Sequence, residues 1–384
     1  MPGFASMDEF VNKVTVAGQF RRVDWNKLFP PTTAAVAGEW HSLFRGAGNP
    51  GADALLNTGT NLAFQPLSDT TTNATGIQHG GNVSPYYKHI INASSFSASA
   101  TTMPSVAMLV DMLGWYRVTS VTTTTAQATT NSLSTFSTFT ADAGTDIITH
   151  SNINLRPLTK LRCSTTTTLP AGLATATDYW VIWLSDTTCK LATSRANAVA
   201  GTAIDITDAG TGTHTLNTLL PRYTDGSGVQ AFFVNTNATA LGAATPNLSL
   251  GYTNSASTAS RATPTVLPIG KTAAANGLVL YSGTGSGKYG PFMPLAAGDG
   301  GIQSVETIQN SISYVSGEYA VVLARPLLTL PMTTLGVAAE RDLLNQVPSL
   351  PRVFDGACLN WMLYSGANTP TNSAFYGHLD FAWA

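Results

Sequence analysis

Hydrophobic residues along this chain fall into short runs divided by Gly, Pro, Asn and Asp, the texture of strands joined by turns. Residues 178–184, Asp-Tyr-Trp-Val-Ile-Trp-Leu, combine β-branched and aromatic side chains and predict a strand. Further strands are predicted at 189–192, 203–207 and 214–216. Between them a helical turn at 195–200 has Ser194 as its cap and Gly201 as its stop. Asp208-Ala209-Gly210 supplies a tight reversal before the last of these strands. Beyond residue 220, the runs at 229–234, 278–281, 306–314, 319–323, 357–363 and 374–383 all read as strands. Two helices are predicted. One opens the chain, where Ser6 and Glu9 have capping-box spacing ahead of Phe10, Val11 and Val14, and Gly18 ends it. The other covers 338–347 and is stopped by Pro348. Segment 103–116 is apolar enough to be a helix or a buried strand, and periodicity alone does not separate the two.

Between residues 30 and 82 the pattern thins to isolated large side chains, Trp40, Phe44, Leu55, Leu56 and Phe64, among Gly, Pro, Asn and Thr. This spacing predicts an extended arm lying over other surfaces. Trp25, Phe29, Trp40 and Phe44 are the expected interface anchors, because aromatic side chains carry much of the energy where subunits meet. The alternative is that they are core residues of this same chain. Texture breaks at about 119, where Thr, Ser and Ala take over, and returns at about 220. The expected division is a helix and arm at 1–82, a discontinuous β-rich core at 83–118 and 217–384, and an insertion at 119–216. The inserted β module proper is expected at 146–216. The fold class is then mainly β: a β-sandwich or jelly-roll-like core with an extended N-terminal arm and an inserted small β module.

Composition sharpens the picture. Only 10% of the 384 residues are charged while 43% are hydrophobic, and the formal net charge is −2. Charged side chains ordinarily keep a free-standing protein soluble and monomeric. So uncharged a chain predicts a surface covered by neighbours, in a homo-oligomer of which a trimer is one form. Disorder is not the reading, because 7 Trp, 12 Tyr and 15 Phe are present. Lys and Arg do not cluster beyond Arg21, Arg22 and Lys27, which leaves no footprint for direct nucleic-acid binding. No apolar run reaches the roughly 20 residues that would span a bilayer, and residues 1–10 carry Asp8 and Glu9 where a signal peptide would be apolar. No membrane partner is expected, and synthesis in a bacterial cytoplasm is.

Candidate chemistry is sparse. Gly285-Ser286-Gly287-Lys288-Tyr289-Gly290 matches a dinucleotide-binding pattern in letters, but Pro291 and Pro294 follow where a helix must begin. A flexible hairpin loop is the better reading. Asp225, Asp299 and Asp355 each precede Gly, which is first a turn signal and only secondarily a calcium motif. His41, His79, His89, His150, His214 and His378 show no metal-ligand spacing, and no serine sits in a nucleophile elbow. Cys163, Cys189 and Cys358 form no CxxC pair. Cys163 and Cys189 read as reduced core residues or as a pair on facing strands. The expectation is no enzyme, no catalytic residue, no cofactor and no metal.

Two sets of residues carry a resemblance. Thr168-Leu169-Pro170-Ala171-Gly172-Leu173-Ala174-Thr175, the strand at 178–182, Lys190-Leu191-Ala192-Thr193-Ser194 and the run from Gly201 to His214 resemble a small β module of tailed-bacteriophage virion proteins. Met108-Leu109-Val110-Asp111-Met112-Leu113-Gly114-Trp115-Tyr116, Leu220-Pro221-Arg222-Tyr223-Thr224-Asp225-Gly226 and Asp355-Gly356-Ala357-Cys358-Leu359-Asn360 resemble a second family of phage virion structural proteins. Tyr87-Lys88-His89, Gly290-Pro291-Phe292 and residues 295–302 add to that second likeness. In that family the Trp-Tyr and Pro-Arg-Tyr-Thr-Asp-Gly segments lie close in sequence. Here about 100 residues separate them, as an insertion would, and an inserted module projects from an exposed loop. The resemblance implies a virion component at the capsid surface, a decoration or cement protein whose partners are other virion proteins, the major capsid protein first. A tail or baseplate component that binds a host receptor or glycan is the alternative, with Tyr179, Trp180 and Trp183 as its stacking residues. A major capsid protein fits less well, lacking a long amphipathic helix, and a depolymerase would need paired carboxylates from only 21 acidic residues.

Overall fold

Val106–Val118 forms one strand of 13 residues, which decides the choice that periodicity left open. Its side chains are buried on both faces along nearly its whole length, so it reads as a continuous apolar run rather than an alternation. In the computed structural model, which describes residues 4–29, 37–69, 76–98, 105–236, 241–242, 246–264, 277, 279, 290–346 and 350–384, the chain is mainly β. The central sheet runs Gln230–Asn235, Tyr319–Pro331, Val106–Val118, Leu359–Ser365, Glu39–Ser42, with Phe64–Pro66 also paired to Val106–Val118. Val279 bridges Val234 and donates to the Trp40 carbonyl, and Gly277 bonds both Asn235 and Ser42. Gly277 and Val279 thus each contact both outer strands of the central sheet.

A second sheet covers one face. It runs Ala339–Asp342, Lys88–Ser97, Ala374–Trp383, Phe20–Leu28, Gly48–Asn49, with Arg352–Val353 also on Lys88–Ser97. Ala107, Leu109, Leu328, Leu330, Trp361 and Leu363 of the central sheet pack there against Trp25, Ile90, Phe375, Leu379 and Phe381. The opposite face meets a third sheet, Arg261–Ala262, Leu248–Asn254, Ile302–Asn310, Gln127–Ala128, through Tyr116, Phe232, Val322, Tyr252 and Val305. The long strands reach both cores because the ladder between Tyr319–Pro331 and Val106–Val118 shifts register twice, and each shift exchanges the face a side chain points to.

Six strands close a separate antiparallel barrel: Lys160–Thr165, Asp178–Ser185, Thr188–Ala192, Ile147–His150, Ser134–Asp142, His214–Thr218. It has its own core of Phe139, Ile148, Leu161, Tyr179, Val181, Leu191 and Leu216. Cys163 and Cys189 lie inside it, buried and free. Ser194 caps Arg195–Ala200 and Gly201 ends it in the left-handed region, as the residue types require.

Several expectations need correction. The barrel's first strand begins at Ser134, ahead of residue 146, because the Thr- and Ser-rich stretch alternates Ser137 and Phe139 inward with threonines outward. Residues 203–207 form no ladder strand; Ile204 bonds Leu191 and Ile206 bonds the Asp146 carboxylate instead. Ala339–Asp342 is a strand, followed only by the short helix Leu343–Gln346, because pairing with Ser94 and Ala93 outweighs helical propensity. The N-terminal helix is shorter than expected, Met7–Val11, continued by a wider π turn at Asn12–Val16. Ser6 accepts from the Glu9 amide as the spacing predicts, while the Glu9 carboxylate accepts from Ala5. The expected extended arm is not an arm where it is described, since Phe20–Leu28 and Glu39–Ser42 are members of the two main sheets.

Candidate functional site: a buried polar seam and the barrel junction

Three segments singled out in the sequence meet at one point. Asp111 lies on the central strand with no exposure, and the Arg222 guanidinium grips it through Nε at 2.9 Å and Nη2 at 2.7 Å. Arg222 also donates to the carbonyls of Leu67 and Met112, and Asp111 accepts from the Cys358 amide at 3.0 Å. Burial alone would lower the Arg222 pKa, but the Asp111 carboxylate outweighs it and leaves the guanidinium above its ordinary value. A bidentate pair with every remaining group bonded is the arrangement that makes a buried charge tolerable.

Beside it lies a second buried cluster. The His79 ring stands 3.0 Å from the Ala357 carbonyl and 2.9 Å from the Lys88 ammonium, which also donates to Gly81 and faces Asp355 at 3.7 Å. Burial, aided by the Lys88 charge, lowers His79 to about 3. A third cluster holds Lys27, which donates to the carbonyls of Gly46 and Gly51. Burial lowers Lys27 to about 8 and raises the nearby Asp53 to about 6. Neutral His41, also fully buried, is pushed to about 3 by burial. Among the described residues these groups are tied mainly to one another and to backbone carbonyls, while Asp355 also lines a surface cleft of about 330 Å³ and neither ring nitrogen of His41 has a hydrogen-bond partner. What the arrangement does chemically is tie distant strands together.

Trp25, Phe29, Trp40 and Phe44 correct the interface expectation. All four are buried in this chain's own cores, at 2%, 0%, 8% and 0% exposure. Trp25 packs against Trp361 with ring centroids 5.1 Å apart, and Trp40 against Tyr364 at 5.4 Å. Gly377, directly across the ladder from Trp25, makes room: a Cβ there would stand 2.8 Å from the indole and 2.0 Å from the Ser94 carbonyl. In sparse sequence an isolated Trp reads as an external anchor, but here each partner is a residue far along the same chain.

The barrel joins the rest through polar contacts. Tyr87 donates to Asp186, Thr159 pairs with Thr224, Arg352 donates to Asn154, and Arg156 meets Asp225 at 3.0 Å. Trp180 donates its indole N–H to Ser257 while Lys160 lies over its ring. Tyr179 is buried, so of the three aromatic residues considered for stacking only Trp183 is well exposed, at 42%. At the junction, barrel and third sheet enclose a cleft of about 210 Å³. Asp178 sits at its barrel side between Arg162 at 2.5 Å and Lys160 at 2.7 Å. Burial would raise Asp178, but hydrogen bonds from Arg162 and Lys160 outweigh it and hold the carboxyl below its usual range. The sequence offered no signal for this cleft, since the barrel wall at 160–178 and the third-sheet residues Thr253, Gln303 and Ser304 lie at least 75 residues apart.

Asp299 and Asp225 serve as acceptors for Tyr252, Asn254 and Arg261, and for Ser227. Among the described residues no group of three His, Cys, Asp or Glu side chains is placed to hold a metal ion, and no helix is long and apolar enough to cross a membrane. The glycine-rich segment 285–289 lies outside the described residues, as does most of 278–281. No protein-family model, curated protein or solved structure matches this chain.

Proposed function

We propose that this chain is a structural component of a tailed-phage particle, a capsid decoration or cement protein. The observation that carries the reading is the convergence of Asp111, Arg222 and Cys358. These residues belong to three segments of the resemblance and form one site, while a closed barrel occupies the sequence between the first two. A core braced by buried ion pairs, with a barrel displayed from it, suits a part that must bear load without moving. With the four aromatic candidates turned inward, the apolar surface left for joints includes Met7, Val11, Val16 and Phe20, exposed by 58%, 48%, 80% and 36%. A joint burying about 1,000 Å² of apolar area gains roughly 25 kcal/mol before entropy costs, so repeated joints would stiffen a shell without catalysis.

The test is to label purified particles with gold-conjugated antibody against residues 134–218 and to add the free protein to expanded, undecorated shells. Label over the head together with saturable shell binding is the expected result. Label confined to the tail would overturn the decoration reading. It would instead favour a host-binding tail component, the reading supported by Trp183, Leu184 and Val199, exposed by 42%, 42% and 65% on the barrel.

A further inference from the structure

We propose that the cleft between the barrel and the third sheet binds one ring of an acidic saccharide, a pyranose that carries a carboxylate. The volume, about 210 Å³, lies below the roughly 300–1,000 Å³ of pockets that enclose drug-sized ligands, which limits the occupant to about one sugar ring. Its chemistry is asymmetric. Two cations, Lys160 and Arg162, face a single carboxylate, Asp178, so the wall carries one positive charge in excess. Across from them Gln303 is 6% exposed, and its Nε2 has no hydrogen-bond partner although its Oε1 accepts from Ser257. A buried amide donor left unpaired costs about 1–3 kcal/mol, a cost that a ligand oxygen removes once the Gln303 amide turns toward the cleft. Donor excess on both walls selects an anionic, acceptor-rich occupant. Asp178 and Ser304 can accept from ring hydroxyls, and Leu133, 37% exposed, lines the cleft with apolar surface for the C–H face of a pyranose. Clefts at the junction of two folded units are preferred ligand sites because both walls contribute fixed polar groups.

This inference rests on the cleft alone and goes beyond the structural role. Particle labelling reads position, whereas the following experiment reads binding by the isolated full-length chain. Labelled with ¹⁵N, the protein is titrated with D-glucuronate, D-glucose and acetate while the side-chain amide of Gln303 is followed by NMR. Glucuronate is expected to shift that amide saturably, with glucose and acetate at least about tenfold weaker. Gln303→Leu, followed through the backbone amides of Arg162 and Ser304, should weaken glucuronate binding about tenfold. Arg162→Gln, at a position exposed enough to leave folding intact, should do the same. Equal binding of acetate would overturn the proposal in favour of a simple anion site, and equal binding of glucose would overturn the role of the charge. An unmoved Gln303 amide, or binding untouched by Arg162→Gln, would place any sugar elsewhere.

Discussion

At the level of single residues, the chain carries few charges and buries a notable share of them. Lys27, Lys88, Asp111 and Arg222 are all at most 2% exposed. The histidines show what this does to stability. His41 and His79 stay neutral in the folded protein down to about pH 3, whereas in the unfolded chain they protonate near 6.5. Between those values the unfolded state binds more protons, so stability falls as pH falls, by about 1.4 kcal/mol per pH unit for each histidine. Asp53 acts in the opposite sense. Its folded value of about 6 lies above the ordinary 3.8, so within that interval the folded state holds the extra proton and gains as pH falls. These three groups together predict a loss of about 1.4 kcal/mol per pH unit between pH 6 and 4, and His89 and His150, both lowered by burial, add to it in the same direction. Urea unfolding at a series of pH values checks this, and a profile flat from pH 6.5 to 4 would contradict it. Ser6, Ser194 and Gly201 behave as their types predict, because caps depend on neighbours within one turn.

Among elements, the central sheet depends on contacts that join segments far apart in sequence. Arg222→Met leaves Asp111 buried without its partner, and the expected cost is about 3–5 kcal/mol. Replacing both members of the pair with apolar residues of similar size should recover most of that loss, since no charge is then stranded. Equilibrium urea unfolding of the two single variants and the double variant measures the difference. A double variant as unstable as the singles would mean that the pair is not what holds these segments. The same scale explains the elements that depart from their local pattern. Ala339–Asp342 became a strand because Lys88–Ser97 offered it an edge, and 203–207 stayed outside a ladder because the barrel closes through other strands. Strand content depends on what lies alongside, which a local window does not contain.

For the whole molecule, the barrel and the three-sheet body hold separate cores and meet through polar contacts. Ser134 and Thr218 are direct ladder partners, so the chain enters and leaves the barrel at adjacent points. Replacing residues 134–218 with a short Gly-Ser linker is therefore expected to leave the body folded, with its melting temperature changed by only a few degrees. Calorimetry and circular dichroism of the shortened chain check this, and an insoluble or unfolded body would show that the junction contacts are essential to it.

Near neighbours and composition were enough for the β class, for the caps and turns, for barrel strands at 178–184, 189–192 and 214–216, each of which the fold extends or matches, and for the C-terminal strand at 374–383. Which surfaces the large aromatic residues cover became legible in the folded arrangement alone. Trp25 lies against Trp361 and Gly377, and Phe29 against His41; Trp25's partners stand more than 300 residues away, and the Phe29–His41 pair crosses between two sheets. The folded arrangement likewise decided that Asp111, Arg222 and Cys358 form one network, and that Gln303 and Arg162 face a common cleft. The physical reason is that burial and charge pairing are properties of three-dimensional proximity. Periodicity reports the faces an element presents, and folding alone chooses what each face meets.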